Sequence, residues 1–262
     1  MRSINALTDS LAIPALHLVA AGEPSKSHLG GSPRLPASLS WPEWKGRKLG
    51  FLARLSLPEL QRVHPIDWLP STGALLFFYD VEEQPWGFDP KDQGSCAVLH
   101  VADLQQALAP SADDGDDETF PRMNVQFRKI AVFPSTERPQ VEALQLARDE
   151  HHQYWDQLDS PYQGLPKHQV AGFPAPVQGD CMELECQLVS HGLYCGDSTG
   201  YTDPRAKLLE DGAKDWRLLL QLDTDDDSGV MWGDCGTLFF WVRADEAAAG
   251  NFQNPWLVLQ CS

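Results

Sequence analysis

The chain has 262 residues, enough to bury a large apolar core as one big domain or two small ones. Hydrophobic residues make up 42% and charged residues 22%, close to the averages of globular proteins, which excludes wholesale disorder and a fibrous design. Lysine and arginine number 20 against 37 acidic residues, a net charge of −17 that repels nucleic acid and anionic lipid and favours a basic partner.

The apolar stretches and the cysteines bear on the cellular location of the protein. The apolar stretch 6–21 is interrupted by Asp9, Pro14 and His17, and no uncharged run reaches the roughly 20 residues of a membrane helix. We therefore expect neither a membrane span nor a signal peptide. Six cysteines without a Cys-x-x-Cys pair do not resemble a disulfide scaffold in a chain this long. This predicts reduced thiols and a cytoplasmic location.

The first elements along the chain are a strand at 15–19 and a loop at 26–42 that contains Gly30 and Gly31. Paired glycines can present backbone amides to an anion. No nucleotide-binding glycine pattern follows a strand here, so the interpretation we favour is a rigid loop that needs positive φ angles.

A repeated pattern comes next in the chain. Residues 49–55 (LGFLARL) are followed by segment 69–83, and residues 216–222 (WRLLLQL) are followed by segment 232–246. Each of these segments contains a glycine turn and then an aromatic-rich strand. Aligning Gly73 with Gly236 places Phe77 over Phe240. The runs ALLFFY and TLFFWV are unbroken, which is typical of strands covered on both faces. The repeat predicts duplicated sheet units in which both phenylalanines are buried.

The remaining elements define the fold class. Further strands are predicted at 97–101, 125–132, 169–173 and 256–260, the main helix at 139–158, and shorter helices at 102–108, 204–211 and 245–249. We expect an α+β fold with a mainly antiparallel sheet, two pseudo-repeated halves, few helices and long ordered loops. One domain would span 1–262, with halves of about 13–135 and 160–260 and the helix 139–158 between them.

Two acidic clusters are the candidate partner-binding surface. The first comprises Asp113, Asp114, Asp116, Asp117 and Glu118; the second comprises Asp223, Asp225, Asp226, Asp227 and the nearby Asp234. Unpaired carboxylates lose several kcal/mol of hydration on burial, so both clusters are predicted to lie on exposed loops. Trp232 is included as a candidate aromatic anchor, with a buried tryptophan as the alternative.

Two segments resemble metal sites, and neither resemblance is sufficient to predict one. Asp223, Asp225 and Asp227 take positions one, three and five of a calcium loop, with Asp234 at twelve, but Ser228 stands where an EF-hand needs glycine and the flanks indicate strands. A possible zinc set comprises Cys181, Cys186, His191 and Cys195. Its spacings match no standard structural site. No cofactor is predicted.

A series of segments gives the sequence a family resemblance. In order, these are GGSPRLPASLSWP, FLARLSLPEL, LPSTGALLFFYD, HQVAGFPAPVQGD, WRLLLQLDTD and WGDCGTLFFWV. Over residues 13–260 the chain resembles the YwqG-like family of bacterial proteins of unknown function. It departs from that family at Arg54, where glutamine is usual, whereas the second repeat keeps Gln221. The resemblance implies a mixed α+β fold with duplicated halves and no catalytic residues.

The paired motif is also distantly similar to programmed cell death protein two, which escorts a basic ribosomal protein, and YwqG-like proteins resemble candidate immunity proteins of toxin systems. No Gly-x-Ser-x-Gly elbow is present. We therefore predict a non-catalytic protein-binding protein: an immunity protein or inhibitor that sequesters a basic toxin such as a nuclease. The alternatives are a chaperone for a basic ribosomal-type protein, a metal-dependent small-molecule binder or enzyme using the Asp223–Asp234 cluster, and a module without a dedicated ligand. No nucleic acid or membrane partner is expected.

Overall fold

The structure is a computed structural model that describes residues 4–33, 35–102 and 120–262. The strands are β1 (Ile13–Ala20), β2 (His28–Leu29), β3 (Glu43–Trp44), β4 (Arg47–Lys48), β5 (Gly50–Ser56), β6 (Ala74–Tyr79), β7 (Cys96–Val101), β8 (Met123–Val132), β9 (Gln169–Val170), β10 (Trp216–Asp223), β11 (Thr237–Arg243) and β12 (Trp256–Gln260). The helices are α1 (Ile4–Thr8), α2 (Leu57–Val63), α3 (Pro139–Glu142), α4 (Arg148–Asp159), α5 (Met182–Val189), α6 (Thr199–Thr202), α7 (Ala206–Leu209) and α8 (Ala244–Ala248).

One large antiparallel sheet dominates the molecule, in the order β12-β11-β10-β9-β1-β8-β2-β5-β6-β7. It curls into a nearly closed, barrel-like shape, and the predicted α+β class is confirmed. Phe77 on β6 and Phe240 on β11 are far apart in the strand order but are both fully buried, with ring centroids 5.3 Å apart. The concave face of the sheet therefore encloses a core to which both halves contribute.

The pairing registers of the two halves are equivalent. Between β5 and β6 the register shifts between Phe51 and Ala53, and between β10 and β11 it shifts between Leu218 and Leu220. Each shift marks a β-bulge, which inserts one extra residue and bends the strand. The same bulge at the same place confirms the sequence alignment of the two repeats.

The first strand of each half is exchanged into the other half. β1 pairs with β8 and with β9, whereas β8 pairs with β1 and with β2. The two series of strands are thus 13–101 and 123–260, related by a pseudo-two-fold axis between β1 and β8. In this arrangement β8 opens the second series, although the sequence analysis placed 125–132 at the end of the first half.

The helix predicted at 139–158 is two helices, α3 and α4, separated by residues 143–147. Gln145 has a φ of +49°, and Ala147 is extended with its amide bonded to the Glu150 carboxylate, so the chain turns and a new helix begins. The predicted helix at 204–211 corresponds to α7 and a 3-10 turn at Glu210–Asp215, and that at 245–249 corresponds to α8. The prediction at 102–108 falls outside the described residues, apart from residue 102.

Both faces of the sheet are covered. Phe239, Trp241 and Val258 point to the outer face, where they pack under α5 to α7. Phe51 and Phe78 do the same in the first half, beneath the β3–β4 hairpin and Trp41. This accounts for the unbroken apolar strands. None of the helices in the described ranges combines the length and the apolar character needed to cross a bilayer.

Candidate functional site

Two equivalent loops follow β2 and β9. Their sequences are HLGGSP at 28–33 and QVAGFP at 169–174. Positive φ angles occur at the third and fourth positions of each: +56° and +75° at Gly30 and Gly31, and +60° and +79° at Ala171 and Gly172. The Gly30 and Gly31 amides donate to the carbonyls of Leu52 and Phe120, so the double glycine is a backbone turn and its amides are engaged within the protein.

The side chains that hold these loops are also equivalent. Arg54 donates to the Lys26 carbonyl, and Gln221 donates to the Lys167 carbonyl at 2.7 Å. Arg54 therefore keeps the structural contact that Gln221 makes, even though the resemblance pointed to glutamine at both positions. In the same way, the Ser56 amide donates to Ser27 Oγ, and the Asp223 amide donates to His168 Nδ1.

Asp225 is buried and Asp223 is half-buried, which corrects the prediction that both lie on an exposed loop. Asp225 is 7% exposed, and its Oδ2 lies 3.3 Å from His168 Nε2. Because His168 Nδ1 accepts the Asp223 amide, Nε2 carries the ring proton and donates it to Asp225. This hydrogen bond lowers the pKa of Asp225. The Asp223 carboxylate accepts bonds from the Lys167 amide and from Thr237 Oγ1.

Trp232 is fully buried, which is the alternative that the sequence left open. Its ring lies edge-on to Tyr79 and Phe120, with centroids 6.1 Å and 5.7 Å away. Burying this large apolar side chain is more favourable than exposing it beside the acids. The sequence could not distinguish the two outcomes, because both rings that pack on Trp232 come from distant parts of the chain.

The exposed part of the second cluster consists of Asp226, Asp227 and Asp234, with Met231 53% exposed between them. We call these four residues the acidic tip. No side chain in the described ranges forms an ion pair with its three carboxylates. Its negative charge is therefore available to an external partner.

A second loop joins the acidic tip. Gln84 donates to the Met231 carbonyl at 3.4 Å and accepts the Gly233 amide at 2.8 Å. The same loop carries Glu82, Glu83 and Trp86, which is 42% exposed. Glu83 is paired with Lys45 and Arg47, which lower its pKa. Sequence reasoning missed this loop because it lies about 150 positions from the tip.

The first predicted cluster, Asp113, Asp114, Asp116, Asp117 and Glu118, lies outside the described residues. The described chain resumes at Phe120, whose ring contacts Trp232 next to the tip.

In residues 4–33, 35–102 and 120–262, no three His, Cys, Asp or Glu side chains are arranged to hold a metal ion. In the suggested zinc set, Cys186 and Cys195 are buried, and burial raises the pKa of Cys195 to about 11. Burial and the Glu185 carboxylate likewise raise the pKa of Cys181 to about 12. These environments disfavour the thiolate that zinc binds.

The geometry defines a class of protein: a duplicated α+β fold whose halves exchange their first strands and which exposes an acidic tip. Over residues 27–261 the chain matches the model of the family described as Domain of unknown function (DUF1963), and it belongs to that family. No curated protein matches the chain.

Proposed function

We propose that this chain is a non-catalytic, cytoplasmic protein that binds a basic protein, as an immunity protein or inhibitor sequestering a basic toxin such as a nuclease. The observation that carries the proposal is the acidic tip. Its exposed carboxylates have no cationic partner among the described residues, and the exposed Met231 lies between them in the sequence.

The chemistry of this surface favours a protein partner. Unpaired carboxylates steer a basic molecule toward the surface and accelerate association, especially at low salt. Met231 offers an apolar contact, and methionine is enriched in interfaces. A surface that combines both can attract a basic protein and then hold it.

The use of the titratable groups supports a binding role over catalysis. His168 and Asp225 would be a natural acid–base pair, but both are buried and both His168 ring nitrogens are engaged in holding the fold. The resemblance to YwqG-like proteins and to programmed cell death protein two points the same way, since each analogy concerns an acidic protein that holds a basic one.

The test removes the three charges of the acidic tip. The tagged chain is used to recover its partner from the native host, and association with that partner is measured against ionic strength. We expect Asp226→Asn, Asp227→Asn and Asp234→Asn together to slow association roughly 2- to 10-fold at low salt, with little change at high salt. Asp225 stays unchanged because it is buried.

A matched control removes three exposed acids elsewhere: Asp67→Asn, Asp149→Asn and Asp211→Asn. This variant has the same net charge as the tip variant and should associate at a rate much nearer that of the wild type. Equal rates and equal salt slopes for the tip variant and the wild type would overturn the proposal. A ribosomal protein recovered in place of a toxin would redirect it to chaperoning.

A further inference from the structure

A cavity of about 260 Å³ lies between α4, the chain that follows β8 and the loop that follows β9. Four aromatic side chains line it: Phe133, Trp155, Tyr162 and Phe173. Sites for drug-sized ligands occupy roughly 300–1,000 Å³. This cavity is therefore suited to one extended side chain or a small molecule and is too small for a nucleotide.

Charged groups around the cavity are mostly negative. The Glu137 carboxylate lies on its wall and accepts only the Asp180 amide, and Lys167 is paired with Asp159 at 2.6 Å. Arg138, behind Phe173, is held by Asp180 and Glu183. Carboxylates thus outnumber cations, and Glu137 is the one without an ion pair in the described part of the chain.

Trp155 lines the cavity and is also exposed to solvent. Its side chain is 51% exposed, whereas the preceding Tyr154 is fully buried and donates to the Pro134 carbonyl. Aromatic faces carry negative electrostatic potential and attract ammonium groups, most strongly at tryptophan. Aromatic walls beside an unpaired carboxylate are the usual surroundings of a bound organic cation.

We propose that this cavity binds an alkylammonium group, with the aromatic rings around its apolar stem and Glu137 beside its charge. The group could be supplied by a lysine side chain of a protein or by a free small amine, because both present the same chemistry. None of the residues that line the cavity belongs to the acidic tip, so binding there does not depend on the proposed function.

The experiment titrates ¹⁵N-labelled full-length protein with n-butylammonium chloride, with sodium chloride at equal ionic strength as the reference. We expect saturable shifts of the Trp155 indole and of the Phe173 and Ala175 amides. Trp155→Ala should raise the dissociation constant about tenfold, the loss expected for a partly desolvated cation–π contact. Glu137→Gln, which keeps the shape of the side chain, should raise it about threefold.

Matched variants and ligands make the result decisive. Trp86→Ala removes an exposed tryptophan that does not line the cavity, and the triple asparagine variant removes the charges of the acidic tip; both should bind like the wild type. N-acetyl-lysine methylamide binding more tightly than n-butylammonium would identify a lysine side chain as the source, and equal binding would identify a free amine. Absence of saturable shifts, equal binding of acetate, or wild-type affinity in Trp155→Ala and Glu137→Gln would overturn the proposal.

Discussion

His28 and Gln169 occupy equivalent positions, since His28 pairs with Arg54 as Gln169 pairs with Gln221. His28 is 3% exposed, and its Nδ1 lies 2.8 Å from the Gly30 carbonyl, to which it donates. Burial, helped by the charge of Arg122, lowers the pKa of His28 to about 4. One half of the molecule thus holds an ionisable group where the other holds an amide.

This difference predicts a pH dependence of stability. Between about pH 4 and 6.5 the unfolded chain binds a proton at His28 and the native protein does not, so stability is full above that window and falls as the pH drops through it. Between pH 7 and pH 4.5 the wild type loses free energy of unfolding. We expect His28→Gln to make this loss smaller by on the order of 2 kcal/mol. Urea unfolding at several pH values measures it.

The stability of the His28→Gln variant should still decrease somewhat as the pH falls, because burial also lowers the pKa of His17. The control is Gln169→Asn, a variant of the equivalent position without a titrating group. If His28→Gln and the wild type lost stability equally between pH 7 and pH 4.5, the neutral state of buried His28 would be refuted.

At the scale of elements, the two loops after β2 and β9 have the same backbone conformation. They differ in how closely the neighbouring chain packs against them. A Cβ atom added at Gly30 would lie 2.2 Å from the Pro121 carbonyl oxygen and 2.6 Å from that of Phe120. Ala171 already carries a Cβ at the equivalent place with a φ of +60°. The first loop therefore requires glycine for close approach as well as for conformation.

The two positions should respond differently to substitution. Gly30→Ala forces the backbone of 120–121 to move and should destabilise the protein by roughly 2–4 kcal/mol. Ala171→Gly should change stability by less than about 1 kcal/mol, because relief of the left-handed conformation offsets the added freedom of the unfolded chain. Chemical denaturation midpoints of the two variants provide the comparison. Similar losses in both would contradict the close approach at Gly30.

At the scale of the whole molecule, the exchange of β1 and β8 ties the halves together. β1 makes all its pairs with strands of the second series, and β2 pairs with β8. The core is also shared, since Phe77 of one half contacts Phe240 of the other. Neither half contains the hydrogen-bonding partners of its own first strand.

Separation of the halves should therefore abolish folding. We expect fragments 1–110 and 111–262 to be unfolded when produced alone, since each would expose strand edges and apolar surface. Mixed from denaturant, they should reconstitute the sheet through β1 and β8. Circular dichroism and size-exclusion chromatography of each fragment and of the mixture test this. A cooperative thermal transition in either fragment alone would show that the exchange is dispensable.

Local pattern was sufficient to predict most of the sheet and the duplication. Alternation, apolar runs and turn residues are properties of a few consecutive positions, and the alignment of Gly73 with Gly236 gave the correct equivalence of Phe77 and Phe240. The same local reasoning joined α3 to α4, because a positive φ at Gln145 has no strong sequence signal.

Which residues of the candidate site are exposed depends on the tertiary structure. The sequence identified an acidic cluster, but only the fold separated buried Asp225 from exposed Asp226 and Asp227, because the partner of Asp225 is His168, 57 positions away. Only the fold brought Gln84 to the acidic tip, buried Trp232 and assembled the aromatic cavity from three segments. The sequence thus determined strands, repeat and net charge, which follow from local composition. Long-range packing decided which charges and rings face solvent, because burial depends on neighbours that are distant in the chain.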